Sequence, residues 1–218
     1  PMNAPGITLR RIKQVNGSIE FCEEFFDGLE LGDDAVMGQV NDGWAVASRQ
    51  LYHERRAVGG GSEFASGIGA EGKTDKPTDY AALLEQVGQP DNERLQELAG
   101  RALVHRAVQQ QLIDHVYHGV NDGSLPPAAG SIIRISHAEN INLELDTTLA
   151  ITGTAGVVDE GDGLFAQGER YLSRQTASLG GGTTEVGRNV IGERVLGFPR
   201  EYAADKGVPF NQVKRGRS

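Results

Sequence analysis

LSRQTASLGGGTTEVGRNVIGERVLGFPRE, residues 172–201, is the most strongly punctuated stretch of this 218-residue chain. Three glycines, Gly180, Gly181 and Gly182, precede Thr183, Thr184 and Glu185, and a helical run follows until Gly197 and Pro199. A threonine caps the start of a helix, an acid in the first turn suits the helix dipole, and glycine followed by proline ends it. The spacing therefore predicts a final helix opening at Thr183 or Thr184. Glycines also let a ligand approach the backbone closely, and the free N–H groups of a first turn attract an anion such as a pyrophosphate. A plain glycine turn with a threonine cap explains the same letters. Both readings stand, and they make Gly181, Gly182, Thr183 and Glu185 candidate cofactor-binding residues.

Upstream of that helix, residues 164–178 read as a short helix and 153–163 as a loop rich in glycine and aspartate. Residues 130–152 read as a helix entered from Pro126 and Pro127. Asp91 and Asn92 open a long helix with Glu93 in its first turn. Its apolar stripe is Leu95, Leu98, Ala102, Val108, Leu112 and Val116, and it ends near residues 119–123. Residues 59–79 read as a loop by composition. Trp44, Ala47, Leu51 and Val58 keep helical spacing, and Gly59, Gly60 and Gly61 stop that helix. Before it, ITLRRI (7–12) and IEFCEEFFDGLEL (19–31) flank Asn16, Gly17 and Ser18 and read as two strands joined by a turn. Two strands make no stable sheet alone, so residues 1–41 are expected to be the last strands of a β domain continued outside this chain. The expected fold is mainly α: an antiparallel four-helix-type bundle over 42–200, preceded by a short β segment and followed by a polar tail, 201–218.

The composition excludes several classes. Apolar residues make up 38% and charged residues 23%, the balance of a globular protein. No apolar run approaches the roughly 20 residues of a membrane helix, and the first residues lack the pattern of a signal peptide. One cysteine, Cys22, forms no intrachain disulfide and no cysteine-based zinc site, which points to a reducing, cytoplasmic setting. A formal net charge of -9 argues against nucleic-acid binding.

Several motifs look chemical. Residues 67–72 match G-x-G-x-x-G but follow no strand and open no helix, so the dinucleotide-binding context fails. His115 and His118 stand three apart on a helix with no third ligand in sensible spacing, and no metal site is expected. Glu54 is more informative. It flanks, with Arg55, the face defined by Ala47, Leu51 and Val58. A carboxylate at the margin of an apolar face is partly desolvated and becomes a better proton acceptor near neutrality. A rim salt bridge is the competing reading of the same pair.

The segments 38–61 (GQVNDGWAVASRQLYHERRAVGGG) and 172–201 together resemble the acyl-CoA dehydrogenase family. The first resembles the junction where the central β domain of that family meets its C-terminal helical domain. The second resembles its last helices, in the form common among actinobacterial members. The resemblance implies FAD-dependent formation of an α,β double bond in an acyl-CoA thioester, as in fatty acid β-oxidation. A glutamate takes the α-proton, the β-hydrogen leaves as hydride to FAD, and electrons pass to an electron-transfer flavoprotein. Family members associate through this helical domain as dimers or tetramers, homomeric or with other acyl-CoA dehydrogenase subunits.

Many members carry the base in a Tyr-Glu-Gly-Thr segment before the last helix, where this chain has Gly180, Gly181, Gly182 and Thr183. A second subset places it in a Glu-Arg pair on the first helix of the C-terminal domain, and His53-Glu54-Arg55 resembles that arrangement. The resemblance thus implies Glu54 as catalytic base and Arg55 as its orienting neighbour, with Thr183 and Glu185 against FAD. The Arg-x-x-Phe-Gly stretch that reaches a neighbouring subunit's flavin has no counterpart between residues 59 and 125. Two functions therefore compete: an acyl-CoA dehydrogenase using Glu54, and a non-catalytic structural subunit of a heteromeric one. The glycine-rich loop 59–79 favours a bulky acyl group.

Overall fold

The computed structural model describes residues 2–19, 21–58, 77–200, 202–203 and 205–214, with the side chains of 55–58 and 210 excepted. The fold is mainly α with one two-stranded hairpin, the class the sequence predicts. The chain divides into two compact units, Pro1–Ala99 with Glu144–Thr176, and Gly100–Leu143 with Ala177–Ser218.

In the first unit, β1 (Ile7–Ile12) pairs antiparallel with β2 (Phe21–Phe26), with Ile7 opposite Phe26 and Ile12 opposite Phe21. The turn forms where Asn16, Gly17 and Ser18 suggest. Gly17 takes φ 83°, and the Asn16 carboxamide oxygen accepts the Ser18 N–H at 3.2 Å. Apart from half-buried Ile7, both strands are exposed. Helix α1 (Gly43–Val58) carries only Val46 half-buried among its described side chains, and Trp44 is 86% exposed. The apolar face expected to bury Ala47 and Leu51 is open, because no described element lies over it.

Helix α2 (Tyr80–Gln86) was not foreseen, and residues 59–76 of the expected loop lie outside the described residues, as do the helix stop at 59–61 and the motif at 67–72. Asp79 caps α2 by accepting the Ala82 N–H at 3.1 Å, and Tyr80, Leu83 and Leu84 are buried. Each leucine removed from water contributes about 1.5–3 kcal/mol, enough to hold a seven-residue helix that isolation would not. Ahead of it, the Thr78 hydroxyl donates to Glu144 at 2.6 Å.

Helix α3 (Glu93–Asn121) opens at Asn92, whose side-chain oxygen accepts the Leu95 N–H at 3.2 Å. Its inward stripe differs from the expected one at Val108, which is 60% exposed. Ala99, Ala102, Gln109 and Val116 are buried, and half-buried Arg106 lies on the same stripe. Long polar side chains cover apolar surface with their stems, so the inward stripe includes residues that a count of apolar letters passes over. Helix α4 (Gly130–Thr152) begins and ends where expected. It buries Ala138, Leu145, Thr148 and Thr152, and the Thr148 hydroxyl donates to the Glu144 carbonyl at 2.7 Å.

The helix expected over 164–178 is broken in two. Helix α5 (Phe165–Leu172) stops at Ser173, and a 3-10 turn, Arg174–Ser178, follows. The Ser173 hydroxyl donates to the Arg170 carbonyl, and Arg174 leaves the helix to lie 3.6 Å above the Tyr171 ring and pair with Asp146 at 3.2 Å. In the second unit, the chain turns at Gly123 (φ 81°) between α3 and α4, and Gln109 of α3 meets His137 of α4 at 3.2 Å. Helix α6 (Thr184–Arg194) completes that unit.

Candidate functional site

The entry to α6 brings four of the sequence candidates together. Gly181 (φ 72°) and Gly182 (φ 111°) both adopt backbone that favours glycine, so this turn requires them for conformation. Thr183 is extended (φ -69°, ψ 156°), and its hydroxyl oxygen accepts the Val186 N–H at 3.1 Å. The expected cap is thus Thr183, and Thr184 behind it is buried.

Glu185 is exposed in the first turn. Its carboxyl lies below the usual glutamate range, chiefly because its own backbone N–H donates to it, then because the hydroxyls of Thr183 and Thr184 do, with a small contribution from Arg188. The anion at this helix start is therefore the chain's own carboxylate. A pyrophosphate does not fit there: the Val186 donor is taken by Thr183, and a fixed negative charge stands beside it.

The turn is held from α4. The Arg134 guanidinium donates through Nη2 to the carbonyls of Gly180 and, at 3.1 Å, Gly182. Asn142 donates to the Ser178 hydroxyl at 3.3 Å and to the Ala138 carbonyl at 2.8 Å. Behind the cap, Gly187 faces Ile135 so closely that an added Cβ would stand 3.3 Å from two of its carbons. Arg134, Asn142 and Gly187 escape sequence reading, since each acts on residues about 36 to 52 positions away, for which local spacing carries no signal. His137, beside Arg134, has its pKa lowered first by partial burial of its ring and then by the Arg134 charge.

Glu54 and Arg55 belong to the other compact unit. Glu54 is on α1, its only acidic residue, with its side chain exposed. The partial desolvation expected of it is not supplied by the described residues. The Arg55 backbone continues α1, and its side chain lies outside the described residues.

A mainly helical domain led by a β hairpin is the class of protein this geometry defines. A family model described as the C-terminal domain of acyl-CoA dehydrogenase matches residues 41–196, and the chain belongs to the acyl-CoA dehydrogenase family. Curated relatives include acyl-CoA dehydrogenase IpdE1 of Mycolicibacterium smegmatis, 31% identical over 208 residues, with 92% of this chain and 48% of the relative covered. IpdE1 of Mycobacterium tuberculosis is 27% identical over 203 residues, covering 92% and 50%. The chain thus spans about half the length of these relatives. Among solved structures, the Tcur3481-Tcur3483 steroid ACAD shares the fold at a TM-score of 0.70 and 24% identity, covering 92% of this chain and 51% of that one. The ChsE4-ChsE5 complex from Mycobacterium tuberculosis does so at 0.65 and 20%, covering 93% and 52%.

Proposed function

We propose that this chain is the C-terminal part of an FAD-dependent acyl-CoA dehydrogenase in which Glu54 is the base. In this reading, residues 1–41 belong to the central β domain, 42–200 form the C-terminal helical domain, and 201–218 are a tail. The observation that carries the proposal is the placement of Glu54 as the sole carboxylate of α1, inside the matched domain, while left-handed glycines occupy the entry to α6. Gly180, Gly181 and Gly182 carry no carboxylate, which supports a base supplied from another element.

A carbon-bound hydrogen next to a thioester is a weak acid, and a hydrated carboxylate is a poor base for it. Glu54 therefore needs cover. Its exposure in a chain half as long as its relatives supports cover by the remaining part of the protein or by a second subunit. Arg55, next in sequence, orients the carboxylate. Thr183 and Glu185 would hold FAD through its hydroxyl groups, and Gly181 and Gly182 let the cofactor approach the backbone. The chemistry that bound FAD supplies is acceptance of the β-hydrogen as hydride, with an electron-transfer flavoprotein as the proposed electron acceptor. The solved neighbour described as a steroid ACAD supports an acyl-CoA with a bulky acyl group as the substrate class. The free, exposed Cys22 fits a reducing cytoplasm, and no helix among the described residues is long and apolar enough to cross a membrane.

The test is Glu54→Gln in the full-length protein purified with its companion subunits. Exchange of the substrate α-hydrogen with deuterated water should slow by about 10²–10⁴-fold, with the yellow flavin colour retained. Unchanged exchange would remove Glu54 as the base. A second reading, a non-catalytic subunit of a heteromeric enzyme, is favoured by the open environment of Glu54 and by solved neighbours that pair two different chains. Under that reading the complex keeps its full activity when Glu54 is changed.

A further inference from the structure

We infer that Arg134 and Asn142 are positioning residues that set the entry to α6 and, through it, the presentation of Thr183 and Glu185. The inference rests on the proposed cofactor role of that entry, but it has its own observations. The two side chains lie eight residues apart on α4, about 12 Å along one face, with Ala138 midway between them and wholly buried. Asn142 grips Ser178 and Arg134 grips Gly180 and Gly182, so both ends of a five-residue segment are tied to one rigid element.

The segment needs such ties. Three successive glycines carry no side chain to pack and lose more freedom on ordering than any other residues. The described backbone bond closing this turn is Gly182 N–H to the Leu179 carbonyl at 3.2 Å. An added Cβ on Gly182 would meet nothing within 4 Å, so close packing does not hold it either. The guanidinium answers this because one planar fork can serve two carbonyls. No described carboxylate pairs with Arg134, and its Nη1 is buried without an acceptor among the described residues. Burying an arginine donor unmet is costly, and the return visible in the structure is an ordered glycine turn. The Asn142 Oδ1 is likewise buried without a partner, so both anchors are committed to the turn at the expense of their own hydrogen bonding.

The experiment compares the full-length protein, purified with its companion subunits, with its Arg134→Met, Arg134→Lys and Asn142→Ala variants by amide hydrogen exchange read by mass spectrometry. Arg134→Met should raise exchange in the peptide covering 179–184 by at least about tenfold and leave the end of α6 and the body of α4 unchanged. Lysine, which keeps a donor in reach, should restore part of the protection, and Asn142→Ala should loosen the Ser178 end. Unchanged exchange at 179–184, or an equal rise throughout the chain, would overturn the inference. Should the methionine variant fail to accumulate, the lysine and alanine variants give the same readout. FAD retention is measured on the same samples: local loosening without loss of FAD would uphold the positioning role and count against the cofactor role of the α6 entry.

Discussion

Thr183 does two things with one hydroxyl group. Its oxygen accepts the Val186 N–H, capping α6, and it helps hold the Glu185 carboxyl below its ordinary value. Thr183→Ala should therefore lower stability by about 1 kcal/mol and move Glu185 back toward the usual glutamate range. The sign of the pH effect follows. A carboxyl lowered in the folded state stabilises above its unfolded pKa and loses that contribution as the pH falls through the folded value. The variant should show a smaller acid-induced loss of stability, checked by thermal melts across the acidic range alongside an NMR titration of the Glu185 side chain. An unmoved Glu185 would show that Thr183 serves only the helix. At this scale the cap and the turn were legible: Thr183 and the glycines Gly181 and Gly182 before it stand out within a few residues of one another. What the letters did not reveal was that the Glu185 carboxyl folds back onto its own backbone N–H and the neighbouring threonine hydroxyls.

Helices with strong punctuation were found to within a few residues, and α2, which lacks it, was missed. α4 matches its expected limits because Pro126 and Pro127 force its start and left-handed Gly153 (φ 55°) follows its end. α2 is only seven residues long, and its stability comes from burying Tyr80, Leu83 and Leu84, which no local signal announces. The break between α5 and the following 3-10 turn has a similar origin, since Arg174 turns to Asp146. Close packing of elements is also invisible in sequence. Gly168 in α5 faces the carbonyl of Gly156 in the 3-10 turn Gly153–Gly156, and a Cβ on it would overlap that oxygen. Gly168→Ala should destabilise the protein by about 1–3 kcal/mol despite the better helix propensity of alanine, measured by urea denaturation. A variant as stable as the parent would mean that α5 can move away from the turn without cost.

For the molecule as a whole, cover over α1 has a direct spectroscopic handle. Trp44 is the sole tryptophan, it stands on α1, and it is 86% exposed. The aromatic residues Phe21, Phe25 and Phe26 of β2 are exposed as well. The 218-residue chain alone should emit as a fully hydrated indole and be quenched readily by iodide. The longer protein, or its complex, should show a blue shift and protection from the quencher. An isolated chain already shifted to the blue would mean that α1 finds its cover within these residues, and Glu54 with it.

Sequence alone determined the family resemblance, the mainly helical class, the hairpin, the limits of α4 and the cap of α6. All of these depend on interactions between residues a few positions apart, whose spacing is written in the chain. Tertiary structure alone decided the burial of α2, the exposure of Val108 and of α1, the Gly168 contact with Gly156, and the hold of Arg134 and Asn142 on the glycine turn. These depend on which distant surfaces meet, and burial, not composition, sets whether a side chain packs, donates or stays in water.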